Sequence, residues 1–182
     1  MHADNYFIRD QNAIYFLTFT MVEWLDVFTR SSYKLTIANA LEYCRLHKGL
    51  KLYAFCLMTN HLHLVCQTTE PFFLSDFVRD FKKHTAKEII KKIISEPESR
   101  RSNLLYQFRY EGKYDNRITT YKFWHEGCHA IQLDSNKMID EKIEYIHQNP
   151  VRTLIVENAE DYLFSSARNY AAMQGIIEID EI

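Results

Sequence analysis

Residues 13–20 crowd Ile14, Tyr15, Phe16, Leu17, Thr18, Phe19 and Thr20 into a short run of aromatic and β-branched side chains, which predicts a mostly buried strand. The period then lengthens. Leu35, Ile37, Ala38, Leu41 and Leu46 recur at helical spacing behind a Ser31 or Ser32 cap, and Lys48-Gly49 supplies a basic last turn and a stop. Strands over 52–57 and 62–67 flank Met58-Thr59-Asn60, a connection short enough for an antiparallel pair. Leu74, Phe77, Val78, Phe81, Ile89, Ile90 and Ile93 then form one apolar stripe, predicting a helix over 74–94 that ends before Glu96-Pro97. Residues 95–122 show weak periodicity and read as a loop or irregular connection, after which Tyr121 to Trp124 re-enters the core. A fourth strand is expected over 129–133. Asp134 or Ser135 caps a helix from Asn136 that carries Met138, Ile139, Ile143 and Ile146 and stops at Asn149-Pro150; a further helix is expected over 159–173.

The order β-α-β-β-α-β predicts an α+β protein of ferredoxin-like (RRM-like) type, with a four-stranded antiparallel sheet, helices on one face, and C-terminal helices as additions. At 182 residues with 47% hydrophobic and 14% aromatic composition, the chain can bury a substantial core. Four glycines and three prolines are too few for a long flexible linker. We therefore expect one domain over 1–182, with its core at about 13–150 and a helical extension over 151–182.

A net charge of −2 is not that of a generic nucleic-acid binder, but the charge is unevenly placed. Residues 79–122 hold twelve Lys/Arg against six Asp/Glu, whereas 157–182 hold one Arg against six Asp/Glu, so the middle of the chain is the part suited to phosphates. Arg79, Lys82, Lys83, Lys87, Arg109 and Arg152 are the candidate DNA contacts. Tyr106, Phe108 and Tyr110, interleaved with Arg109, fit a base-stacking strip and a small strand equally well. Cys44, Cys56, Cys66 and Cys128 form no CxxC pair, no secretory signal is legible, and no apolar run approaches the ~20 residues of a spanning helix. A reducing cytoplasm and no membrane are expected.

Candidate chemistry centres on His61-Leu62-His63. In a strand, residues i and i+2 leave one face, so two imidazoles can grip a cation while Leu62 points into the core. Tyr145 and Asn149 are i and i+4 on the predicted helix, so they share a face about one turn apart. If that face crosses the histidine strand, Asn149 becomes a third ligand beside a tyrosine nucleophile. Two neutral imidazoles and an amide oxygen leave positions open for phosphate oxygens and water, which suits Mg²⁺ or Mn²⁺. Each residue also has a plainer reading: an ordinary His pair, a packed aromatic, and an Asn-Pro helix stop. His125 and His129, near Glu126 and Cys128, have ligand-type side chains, but Gly127 marks a turn and the simpler role is to orient the next strand or touch DNA. His84, on the lysine-rich helix, reads as a surface residue.

The run from Met58 to Val65, followed far along the chain by Tyr145-Ile146-His147-Gln148-Asn149-Pro150-Val151-Arg152, resembles the HUH single-tyrosine transposases, closest to the REP-associated tyrosine transposase branch. Trp124 and the tail Asp161-Tyr162-Leu163-Phe164-Ser165-Ser166-Ala167 resemble further landmarks, and the likeness runs from about Ile14 to Tyr170. The resemblance implies His61 and His63 as metal ligands, Asn149 as the third metal-site residue and Tyr145 as nucleophile. It also implies cleavage of single-stranded DNA beside a hairpin, a 5′-phosphotyrosine link, a free 3′-OH, strand rejoining, and for some members a homodimer. Tyr114 and Tyr121 are fallback nucleophiles, but neither has an amide one turn later. The competing functions are an HUH replication initiator or relaxase, which the small size disfavours, and a noncatalytic single-stranded nucleic-acid-binding module.

Overall fold

The computed structural model describes residues 8–113 and 120–182. Four strands, β1 (Tyr15–Thr20), β2 (Leu50–Leu57), β3 (His61–Thr68) and β4 (His129–Gln132), form one sheet in the order β2-β3-β1-β4. All three pairings are antiparallel, as the ferredoxin-like arrangement requires. Period-two alternation divides the sheet into two unlike faces. On one, Tyr15, Leu17, Phe19, Leu62, Leu64 and Cys66 are buried beneath α1 (Ser31–His47), α2 (Leu74–Ser95) and α3 (Arg101–Gly112). On the other, Phe16, Ala54, Cys56 and Val65 are covered by Ile139, Ile143 and Ile146 of α4 (Asn136–Arg152). The helix expected as a peripheral addition is thus a third layer, on the side opposite α1 and α2.

A β-bulge between Leu52 and Ala54 lets β2 serve both layers. Leu50 and Leu52 lie in the larger core, and so do Phe55 and Leu57, although their numbering has changed parity. One extra residue flips the alternation, and Tyr53 and Ala54 both fall in the α4 layer. The free edge of β2 is closed by the tail: Leu57 N–H donates to Phe164 O, Ser166 N–H to Phe55 O, and the Tyr162 hydroxyl to Leu57 O. Edge backbone groups are thereby paired instead of left as a template for another chain.

Several expectations are corrected, the Ser31 or Ser32 cap of α1 among them. Residues 95–122 contain α3, whose buried Leu104 and Phe108 are one turn apart; with only two fully buried apolar residues spaced at one face, the helical period is faint. This also removes the small-strand reading of Tyr106, Phe108 and Tyr110. Pro150 does not stop α4 but lies buried in its last turn, where the missing N–H leaves only one carbonyl without its helical donor. The expected helix over 159–173 is reduced to a 3₁₀ turn, Ala159–Asp161, and α5 (Ala167–Tyr170), because the intervening backbone bonds to β2 instead of to itself. Ser135 caps α4, its side chain accepting from Met138 N–H, while α1 begins without a side-chain cap. No helix among the described residues is long and apolar enough to cross a membrane.

Candidate active site on the α4 face

His61 and His63 open β3 and project towards the α4 layer, while Leu62 between them is fully buried in the opposite core. Their rings lie 4.6 Å apart, centroid to centroid. Each has its Nδ1 engaged: His63 with Thr18 Oγ1 at 2.9 Å, and His61 with Asn60 Oδ1 at 2.6 Å. The amide oxygen can only accept, so His61 carries its proton on Nδ1 and leaves Nε2 with a lone pair. Asn60 is held in turn by Asp26, whose Oδ1 accepts from Asn60 Nδ2 at 3.1 Å and from Thr59 Oγ1 at 2.6 Å. This is the outer hydrogen-bonded shell that fixes ring orientation in metal-binding histidines.

Burial keeps both imidazoles neutral, the form that binds a cation. For His63, burial, then the neighbouring His61, His129 and Lys142, push the pKa down to about 3. For His61, burial lowers it and Asp26 pulls weakly the other way.

Tyr145 on α4 meets His63 directly. Its ring lies 5.6 Å from His63 and 6.0 Å from Phe16, edge-on to both, and Phe16 stacks on His63 at 5.4 Å. The phenol is 39% exposed, enough for a substrate to reach it. Two cations flank it: Arg152 Cζ stands 5.3 Å from the ring centroid and Lys142 Nζ 5.7 Å. Asn149, one turn further along the same helix face, has a buried Nδ2 with no hydrogen-bond partner. A buried carboxamide end without a partner is costly. Carboxamide oxygen and nitrogen exchange places on a half-turn, so this position suits an oxygen ligand to a cation. Among the described residues no three His, Cys, Asp or Glu side chains form a metal-binding group, the segment His125 to His129 included.

His147, two residues past Tyr145, points to the other side of α4. Its Nε2 lies 2.9 Å from Ser166 Oγ, which also accepts from Phe55 N–H at 2.9 Å. The helix that carries Tyr145 is therefore tied to β2 through the tail. Burial alone lowers the His147 pKa to about 4.

The other candidates fall elsewhere. Of the cationic set, only Arg152 stands at Tyr145. Arg79 pairs with Asp76 and Asp80 on α2, and Lys82 donates to the carbonyls of His125 and Gly127. Lys83 and Lys87 are exposed on α2, and Arg109 lies over Tyr121 on α3. These helices cover the far face of the sheet. Tyr121 joins that far core, and Tyr114 lies outside the described residues. Trp124 is buried there too, its indole N–H donating to Thr85 Oγ1 at 3.1 Å. Sequence reasoning missed the strand register that aligns His63, Thr18 and His129 in one row across three strands. It also missed Lys142, which a helical wheel through Tyr145 and Asn149 places one turn earlier at i−3.

The chain matches the family model described as "Transposase IS200 like" over residues 11–114, a span that includes β1 to β3 and both histidines and ends before α4. No curated protein matches it. Among solved structures, it is similar to a REP-associated tyrosine transposase bound to a REP hairpin, at 17% identity and a TM-score of 0.62, covering 100% of this chain and 92% of that one. A protein of Deinococcus radiodurans R1 described as a candidate transposase is also similar, at 15% identity and a TM-score of 0.46 over 81% of this chain and 96% of that one. With the family model spanning more than half of its length, the chain belongs to the IS200-like transposase family.

Proposed function

We propose that this protein cleaves and rejoins single-stranded DNA through Tyr145, with His61, His63 and Asn149 holding Mg²⁺ or Mn²⁺. The observation that carries the reading is the seating of Tyr145 against His63 with the partnerless Asn149 amide one turn away. A divalent ion, when bound, would polarise the scissile phosphate and offset its developing charge. The chain's own groups account for the remaining chemistry. Tyr145 Oη gives up its proton and bonds to phosphorus, the P–O3′ bond breaks, and the departing oxygen takes a proton to become a 3′-hydroxyl. The product is a 5′-phosphotyrosine, and attack by a 3′-hydroxyl reverses the step and joins strands. Arg152 and Lys142 beside the phenol favour the approach of a phosphate. Because Tyr145 reaches His63 of its own chain, a homodimer would serve DNA-end pairing and not delivery of the tyrosine.

The substrate we propose is a single strand bearing a hairpin, the class of DNA on which the REP-associated relative was solved. The four cysteines, free in the structure, suit a reducing cytoplasm. Incubating an end-labelled hairpin oligonucleotide with the protein and Mn²⁺ should give a covalent adduct that survives denaturing electrophoresis. Tyr145→Phe should abolish it while retaining binding; an adduct formed by the Phe variant would overturn the nucleophile, and tight binding with no adduct under any divalent ion would favour a noncatalytic module.

A further inference from the structure

We propose that Trp24 is a stacking platform for an unpaired nucleobase next to the phosphate being cleaved, an inference that rests on the reading of the site as a single-stranded DNA nuclease. Trp24 is 65% exposed, and among the described residues the ring it meets is that of His61, edge-on at 6.1 Å. A large indole left open at the mouth of the site is poorly explained by folding, since its burial would be favourable.

The segment is built to hold it there. Met21, Val22, Val27 and Phe28 on either side are fully buried, while Glu23, Trp24 and Asp26 are exposed. Glu23 (φ 50°) and Trp24 (φ 53°) are two consecutive non-glycine residues in the left-handed region. Such a pair persists only where its surroundings over-determine it, and strain of this kind gathers at ligand sites. Here the surroundings are visible: Met21 N–H donates to Asn60 O at 2.9 Å, Val22 N–H to Phe123 O at 3.1 Å, and Asn60 Nδ2 to Trp24 O at 3.3 Å. Asn60 is also the residue that orients His61. One side chain thus holds both the His61 ring and the backbone that carries the indole, so a base on Trp24 is held in register with the phosphate at the histidines.

Charge decides which part of the nucleotide Trp24 meets. Glu23 and Asp26 repel a phosphate backbone, so the contact is with the flat face of a base. Bases within a duplex have both faces stacked already, so the ligand is an unpaired nucleotide, and because every base has a π-face the contact tolerates many sequences.

The test uses the full chain carrying Tyr145→Phe, so that binding is read without cleavage and independently of whether the nucleophile assignment holds. The probes are a single-stranded dT 20-mer and a 20-mer of the same backbone that is abasic throughout. The chain has two tryptophans, and Trp124 is buried, so base-dependent quenching reports on Trp24. We expect dT to quench the fluorescence and the abasic strand not to. Trp24→Ala should weaken dT binding by about 5- to 100-fold and lower the abasic strand's affinity little, with Trp24→Phe restoring most of the loss. Equal affinity and equal fluorescence for the two strands, or undiminished dT binding by a folded Trp24→Ala protein, would overturn the proposal. Should the Ala variant fail to fold, the two-strand comparison decides alone. Absence of an adduct with wild-type protein would instead count against the cleavage reading.

Discussion

The two faces of the sheet are built from alternate residues of the same strands, yet they differ in kind. Towards α1, α2 and α3, β1 and β3 present Leu17, Phe19, Leu62, Leu64 and Cys66 to a continuous apolar core. Towards α4, the intervening positions are Phe16, Thr18, His61, His63 and Val65, two apolar and three polar. The first face supplies most of the hydrophobic stabilisation. The second carries neutral, partly desolvated imidazoles that contribute little to it and are tolerated because Thr18 and Asn60 satisfy their Nδ1 atoms. Rigidity on one side thus permits chemistry on the other, since Leu62 anchored in the far core fixes where the flanking histidines stand.

That division can be broken from either side. The largest effect is expected from Phe81→Ala, which empties a fully buried site beneath Phe19 and should cost about 3–5 kcal/mol of stability while the folded protein keeps its affinity for Mn²⁺. Denaturant unfolding and metal titration together check it; a large loss of metal affinity in the folded variant would show that the faces are not separable. Asn60→Ala should do the reverse. Releasing the His61 ring should weaken metal binding about 10- to 100-fold, by calorimetric titration, with a smaller change in unfolding midpoint than Phe81→Ala produces.

The smallest effect sharpens the contrast through pH. His63 and His147 in the folded chain take a proton only near pH 3 and 4, whereas an unfolded histidine does so near pH 6.5. Between those limits the unfolded state binds more protons, so the stabilisation is complete above about pH 6.5 and is lost as pH falls. Lowering the pH from 7 to 6 should drop Tm by about a few degrees, and His147→Asn should flatten that slope. A Tm independent of pH over this range would mean that the α4 face is not holding its histidines neutral.

Much of this was legible because it is local. The His-x-His pair on a strand follows from period two, and the shared face of Tyr145 and Asn149 from the helical repeat, so two halves of the site were readable from spacing. What escaped was either faint in pattern or decided elsewhere. The period of α3 rests mainly on Leu104 and Phe108, which a charged and aromatic background hides. Pro150 reads as a stop, but burial of α4 against the sheet holds the helix through it. Trp24 lies among the apolar residues of Met21 to Phe28, and only the left-handed turn shows that it faces out.

The sequence alone determined the element order, the two-faced alternation of β3 and the residue types able to hold a cation and attack phosphorus, because these depend on spacings within one element. Tertiary structure decided that α4 lies on the face opposite α1 and α2, that Tyr145 meets His63 within a single chain, that His129 shares the His63 row, and that the basic residues of α2 and α3 lie away from the site. Those facts depend on which distant segments pair and in what register, and that is set by the joint burial of both cores, not by any spacing along the chain.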